Sequence, residues 1–173
     1  ITINEINPTQ PDHNINILGL NVCGLSSKIK YDILDKYITD FDFICLSETK
    51  TDNIDPNWFP DYSTPVMERK DNTHRYGGVH GLCILVKNQY ANHVKVIKDT
   101  QSVNVLWAKV EKDACGYEFI LGAVYLPCES SVHYNGDIFD HIAKDVLNSN
   151  CKRAYDLPIV LIGDFNARTG KIR

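Results

Sequence analysis

The chain has 173 residues, 43% hydrophobic and 10% aromatic, which suffices for one well-buried domain and is short for two. Its formal net charge is −4, so nothing is globally basic, and any nucleic-acid contact must come from a local patch. No segment approaches the roughly 20 apolar residues of a membrane span, and no secretory signal opens the sequence. Ile1 is the first residue and Met67 the single Met, so the chain is expected to start inside a longer product or after processing.

Residues 1–14 hold Pro8, Pro11 and the amides Asn4, Asn7, Gln10 and Asn14 with little periodicity, and read as an arm or linker ahead of a domain spanning 15–173. Ile15 to Leu20 is the first apolar run and ends at Asn21. Gly24 predicts a turn, and Ser26 or Ser27 can cap a following helix. Ile29, Ile33 and Tyr37, with Leu34 and Ile38 beside them, follow the i, i+4 spacing of one apolar helical face. Phe41 to Leu46 is the second run and ends at Ser47-Glu48-Thr49. Residues 50–76, with Pro56, Pro60 and Pro65, predict irregular chain.

Gly77-Gly78 opens a third extended run, Val79 to Val86. Val103 to Val110 and Tyr117 to Val124 predict a hairpin across Asp113-Ala-Cys-Gly116, its second strand ending at Tyr125-Leu-Pro127. Residues 137–149 place Ile138, Ile142 and Val146 on one face, flanked by Phe139 and Leu147, and predict an amphipathic helix. Pro158 then opens Ile159 to Ile162, an unbroken and mostly β-branched run expected to be a strand buried on both faces.

That last run stops at Gly163, and Asp164 and Asn166 follow two residues apart. In extended backbone such a pair projects to one side. A carboxylate and a carboxamide leaving a strand together suit a hard metal ion or a phosphate, and equally an ordinary Asx-type turn. The pattern recurs: four apolar runs end in Asn21, Glu48, Tyr125, and Asp164 with Asn166. Four such endings suggest strand ends converging on one site, as is general in α/β folds. Alternating strands and helices with one hairpin favour a layered α/β or α+β domain.

The six cysteines (Cys23, Cys45, Cys83, Cys115, Cys128, Cys151) include no C-x-x-C pair, which disfavours a zinc knuckle. They read as reduced thiols of an intracellular protein, with Cys45 and Cys83 buried in apolar runs.

Leu20-Asn-Val-Cys-Gly-Leu25, Leu46-Ser-Glu-Thr-Lys50, Gly122-Ala-Val-Tyr-Leu-Pro127 and Gly163-Asp-Phe-Asn-Ala167 resemble, in order and spacing, motifs of the endonuclease/exonuclease/phosphatase family. Their wording is most similar to the apurinic-type endonuclease domains of non-LTR retrotransposons, over roughly residues 15–170. The resemblance implies a four-layer α/β sandwich of two mixed sheets flanked by helices, and hydrolysis of a phosphodiester with Mg²⁺ or Mn²⁺. It implies Glu48 as metal ligand with Asn21 beside it, near metal or phosphate. Tyr125 would donate to a phosphate oxygen, Asp164 would orient and deprotonate the attacking water, and Asn166 would hold the water or the phosphate.

DNA would be the substrate, met by Lys28, Lys30, Lys50, Arg69, Lys70, Arg75 and Arg168, although such charges are also ordinary solvated positions. The implied partners are the rest of a retroelement polyprotein carrying reverse transcriptase, or a chain completing the sheet, and the implied compartment is the nucleus.

Two departures stand against this pattern. The family's site is completed by a Ser/Asp-Asp-His segment near its C-terminus. The sequence stops at Arg173, just past the Asp-x-Asn motif, so 15–173 is expected to be about the N-terminal two-thirds of such a domain with its C-terminal portion missing. None of His13, His74, His80, His93, His133 and His141 stands in such a segment. Cys23 occupies a position where many relatives have an acid or amide, and a thiol is a poor Mg²⁺ ligand. The departures keep open a truncated, inactive remnant serving as an interaction module, and the family also includes phosphatase-type phosphoesterases.

Overall fold

A computed structural model of the chain describes residues 14–30, 34–51, 54–69, 81–98, 100–131, 134, 136–147 and 157–166. Its strands are β1 (Ile17–Asn21), β2 (Phe43–Ser47), β3 (Tyr62–Arg69), β4 (Leu82–Lys87), β5 (Val94–Val96), β6 (Val105–Val110), β7 (Phe119–Tyr125) and β8 (Ile159–Asp164). Its helices are α1 (Leu25–Lys30), α2 (Asp35–Ile38), α3 (Lys112–Cys115) and α4 (Ile138–Leu147). The strands form two four-stranded sheets, ordered β1-β2-β4-β3 and β5-β6-β7-β8.

Each sheet mixes directions. In the first, β1 and β2 run parallel, while β4 is antiparallel to both of its neighbours. In the second, β5, β6 and β7 form an antiparallel meander, and β8 joins β7 in parallel. A parallel neighbour needs a crossover, and the segments holding α1 and α2 and then α4 supply the two crossovers. As a result, β1 and β2 end at one rim of their sheet, and β7 and β8 end together at a rim of theirs.

The sheets stack face to face. Phe43, Cys45, Ile84 and Val86 of one meet Leu106, Ala108, Leu121 and Ala123 of the other in a buried apolar cluster. Two further clusters lie outside. Leu25, Leu34 and Ile38 pack with Ile44, Leu46 and Leu85 over the first sheet, and Ile138 and Ile142 pack with Val105, Trp107 and Val124 over the second. Burying one such large side chain stabilises by about 1.5–3 kcal/mol, so three layers of contact hold four layers of structure. This is the two-sheet α/β sandwich expected from the sequence.

Four local expectations change. The single helix expected to reach Ile38 is described as α1 and α2, with 31–33 outside the described residues, and Tyr37 is exposed rather than on the apolar face. Helix α1 already begins at Leu25, so Ser26 and Ser27 lie inside its first turn rather than capping it, and Ser27 Oγ donates to the Gly24 carbonyl at 2.8 Å. Residues 62–69, expected to be irregular, form β3. Pro65 is tolerated there because β3 is an outer strand of its sheet, with register shifts on both sides of Val66. Strand β8 is not buried on both faces: Val160 and Ile162 pack against the inter-sheet core, whereas Ile159 and Leu161 are exposed. Its apolar run alternates between two environments because one face meets the other sheet while the opposite face is left largely uncovered by the described residues.

None of the described cysteines forms a disulfide, and Cys45, Cys83 and Cys115 are buried; Cys151 lies outside the described residues. Residues 1–13 of the expected arm do as well. No helix among the described residues is long and apolar enough to cross a membrane.

Candidate active site

Period-two alternation carries three polar side chains to the shared rim. On β1, Ile17 packs in the inter-sheet core, so Gly19 and Asn21 share its face. On β8, Val160 and Ile162 pack there and Asp164 ends the row, as Tyr125 ends the row of Leu121 and Ala123 on β7. Strand register aligns the ends: Tyr125 is level with Asp164, and Asn21 with Ser47, the residue before Glu48.

Gly19 lets the two sheets close at this point. A Cβ on Gly19 would lie 2.7 Å from Ile162 Cγ1 and 3.0 Å from the Gly163 nitrogen, so β1 rests almost directly on β8. Two residues further along, the ends meet. Asn21 Nδ2 donates to Glu48 Oε1 and to Asp164 Oδ2, each at 2.8 Å. Carboxylates from opposite sheets therefore share one amide nitrogen. Lys50 Nζ lies 2.8 Å from Glu48 Oε2, and Asn21 Oδ1 accepts the Cys23 N–H at 3.0 Å.

Asp164 is held on its other side as well: Oδ1 accepts the Asn166 N–H at 2.9 Å, closing an Asx turn. The Asn166 amide donates to the Leu126 carbonyl at 2.7 Å, and Leu126 N–H donates to the Asp164 carbonyl at 2.9 Å. The turn and the metal-or-phosphate readings of Asp164 and Asn166 are thus compatible, since one turn aims the remaining groups.

Backbone strain concentrates here. Among the described residues, the non-glycine positions with positive φ are Cys23, Glu48, Lys50 and Asn166, all within the rim loops. Such conformations cost of order 1–3 kcal/mol each and persist only where surrounding structure imposes them. Backbone bonds from Gly24 to the Glu48 carbonyl at 2.8 Å and from Leu25 to the Thr49 carbonyl at 2.7 Å impose them on the first two loops. Gly163 sets the last: at φ 145 it presses against β7, where a Cβ would lie 2.1 Å from the Val124 carbonyl oxygen.

The electrostatics follow from this packing. Partial burial pushes the Glu48 carboxyl up, but hydrogen bonds from Lys50 and Asn21, the Lys50 charge and the Tyr125 hydroxyl together hold it below its ordinary value. The bond to Glu48 raises Lys50. Burial, then the charge and hydrogen bond of Glu48 and the charge of Asp164, push the Tyr125 phenol up to about 12, so it remains a donor at any ordinary pH.

Three further residues buttress the elements around the site and escaped the sequence reading. Asn104 brackets the Tyr125 peptide, accepting its N–H and donating Nδ2 to its carbonyl, both at 3.0 Å. Asp145, 1% exposed on α4, accepts from the Gln101 N–H, from the Ser102 N–H at 3.0 Å and from Trp107 Nε1 at 3.1 Å, and so anchors the loop that carries Asn104. An acid on a helix reads as solvent-facing, and nothing nearby in sequence signals its distant donors. Gly19, inside an apolar run, is the third.

Of the expected phosphate contacts, Lys50 belongs to the site, and Lys28 and Lys30 lie on α1 directly after the Cys23-Gly24 turn. Arg69 ends β3; Lys70, Arg75 and Arg168 lie outside the described residues. Of the histidines, His93 precedes β5, at the opposite edge of the second sheet from β8, and His141 lies on α4; His13, His74, His80 and His133 lie outside the described residues.

Among the described residues no group of three or more His, Cys, Asp or Glu is arranged to hold a metal. The donor set nonetheless suits Mg²⁺ or Mn²⁺. Such ions prefer oxygen and often take only one or two carboxylates with several waters, and the Glu48 and Asp164 oxygens flank one point. The Lys50 ammonium on Glu48 Oε2 now balances the charge a cation would meet. Ser47 Oγ, buried in the row leading to Glu48, has no hydrogen-bond partner among the described residues.

The chain is an α/β sandwich of two sheets with an acidic site where both of them end, and one family matches it in sequence. Residues 16–171 match the Endonuclease/Exonuclease/phosphatase family, and the chain belongs to that family. The fold is similar to the human nocturnin catalytic domain with bound sulfate anion (15% identity, TM-score 0.59), over 89% of this chain and 65% of that one. It is also similar to a Bacteroides thetaiotaomicron protein of the same family (17%, TM-score 0.53, 91% and 65%). A third likeness is to the Bacteroides thetaiotaomicron mannosyl-6-phosphatase (16%, TM-score 0.51, 91% and 67%). The chain spans less than two thirds of the first two of these structures. No curated protein matches the sequence.

Proposed function

We propose that the chain is the endonuclease domain of a retroelement, a metal-dependent phosphodiester hydrolase that nicks DNA. The observation that carries the hydrolase reading is the single Asn21 amide shared by Glu48 and Asp164, because it puts both acids of two distant motifs at one point. Glu48, with Asn21 beside it, would hold Mg²⁺ or Mn²⁺. When bound, that ion supplies Lewis-acid stabilisation of charge developing on the phosphate. Asp164 would orient the attacking water and take its proton. Tyr125, protonated throughout the working range, would donate to a non-bridging oxygen, and Asn166 would hold the water or the phosphate.

DNA as substrate and a retroelement as origin are supported by the wording of the motifs around Glu48 and Asp164 and by the basic residues near the rim. On this reading the partner is the remainder of the polyprotein, including reverse transcriptase, acting in the nucleus.

The test is nicking of supercoiled plasmid with Mg²⁺. Wild type should nick, and Glu48→Gln and Asp164→Asn should not. Binding to a duplex should weaken as salt rises, because phosphate contacts release counterions. Release of phosphate from small phosphate monoesters without nicking would assign the site to a phosphatase. Inertness in both assays would leave an interaction module built on a nuclease fold.

A further inference from the structure

Two cations compete for the outer oxygen of Glu48, and one of them is built into the chain. Glu48 Oε1 accepts from Asn21 Nδ2 at 2.8 Å, while Oε2 is met by Lys50 Nζ, also at 2.8 Å. The same ammonium lies 3.6 Å from Cys23 Sγ, so it bridges the loop after β1 and the loop after β2.

The backbone fixes this arrangement and leaves the lysine head free to move. Thr49, fully buried between Glu48 and Lys50, donates its N–H to the Gly81 carbonyl at 3.1 Å, and its carbonyl accepts the Leu25 N–H at 2.7 Å. Its two neighbours take left-handed φ values of 52 and 48. The Lys50 backbone is thus held at the strand end, and what can move is a flexible four-carbon stem with its ammonium. The Lys50 side chain is 38% exposed and that of Glu48 17%. An ion pair so open to solvent is worth little, and salt screens it further. A divalent cation brings twice the charge to the same carboxylate and prefers oxygen donors. The pair is therefore weak enough to be exchanged, while its ammonium is tethered too closely to be lost.

We propose that Lys50 is a tethered placeholder for the cation: its ammonium neutralises Glu48 Oε2 and is released to solvent when that oxygen binds a divalent ion. The proposal rests on the metal-dependent reading of the site and deepens it, because Lys50 then sets by competition how tightly the chain holds its ion. The ammonium also relieves a local conflict. Glu48 and Asp164 are drawn to one amide, and the repulsion between two carboxylates so placed falls when one of them is paired.

The test measures Mn²⁺ binding to the whole chain by electron paramagnetic resonance, which reads the free ion without any turnover. Lys50→Met should bind Mn²⁺ about twofold to fivefold tighter than wild type, the range that an exposed ion pair supports, and Lys50→Arg should stay near wild type. In wild type, labelling of Lys50 by an amine-reactive reagent, read by mass spectrometry, should rise with added Mn²⁺. In Glu48→Gln it should be fast and indifferent to the ion. Affinity in Lys50→Met equal to or weaker than wild type overturns the placeholder. So does tighter binding with Lys50 labelling unchanged by Mn²⁺ in wild type, which would reduce Lys50 to a distant repelling charge. If either occurs while Mg²⁺-dependent plasmid nicking persists, the hydrolase reading stands. If neither wild type nor Lys50→Met binds Mn²⁺, the placeholder and the metal-dependent hydrolase fall together.

Discussion

Asp145 and the pair Glu48 and Asp164 are acids in one small domain with opposite surroundings. Asp145 is sealed on α4 and takes two backbone N–H groups and an indole N–H. Its donors are short and fixed by the main chain or by packing, so neither oxygen has a partner it could readily exchange. Glu48 and Asp164 stand at the rim, and their main partners are the side chains of Asn21 and Lys50, the second of which is long and partly exposed. The backbone around them is held in left-handed conformations, and among the described residues none adjoins Asp145 in such a conformation. Where an acid serves the fold, its hydrogen bonds are saturated and its backbone relaxed. At the proposed active site, strain is retained and the partners can be displaced.

This contrast can be broken experimentally. The largest effect should be that of Asp164→Asn, which lowers the plasmid-nicking rate by about 10²–10⁴-fold, equivalent to about 3–5 kcal/mol of barrier. Its urea midpoint should move little; a large loss of stability would place Asp164 with Asp145 as a structural acid. Next is Gly163→Ala, where the new Cβ would overlap the Val124 carbonyl oxygen and require a disfavoured φ. We expect a cost of about 3 kcal/mol or more, together with lost nicking, because the strain and the aim of Asp164 have the same origin.

Asp145→Ala should follow, destabilising by about 2–4 kcal/mol because buried donors are left unsatisfied. Denaturant unfolding measures this, and the nicking rate per folded molecule should remain near wild type. A selective loss of rate would show that the loop through Asn104 transmits position to Tyr125.

The smallest effect is that of Lys50→Met, below about 1 kcal/mol at neutral pH because the pair is partly exposed. Its signature is in acid. The Glu48 carboxyl is held below its ordinary 4.5. The stability this supplies is therefore present above that value and is lost as pH falls through the depressed folded one. Removing Lys50 leaves burial less opposed, so the thermal midpoint should begin to fall at a higher pH in Lys50→Met than in wild type.

Much of this was legible in advance, and the exceptions have a common form. Runs ending at Asn21, Glu48, Tyr125 and Asp164 were visible because strand burial repeats every two residues, a local property. The β3 strand was not, because Pro65 signals irregularity unless an edge position excuses the missing donor. Strand β8 was expected to be buried on both faces because an apolar run looks alike whether one face or both are covered. Asn104 and Asp145 were hidden because their partners lie far away in the chain, and Gly19 because its close approach to Ile162 and Gly163 exists only across the sandwich.

The sequence alone determined the order of elements, their inward rows and the chemical nature of the groups at the strand ends, since each depends on neighbours a few residues apart. Tertiary structure decided which sheet meets which, how near Asn21 comes to two acids, and which acid was structural. Those outcomes depend on contacts between Gly19 and β8, Gly163 and β7, and Asp145 and the 101–107 segment, and no local pattern encodes them.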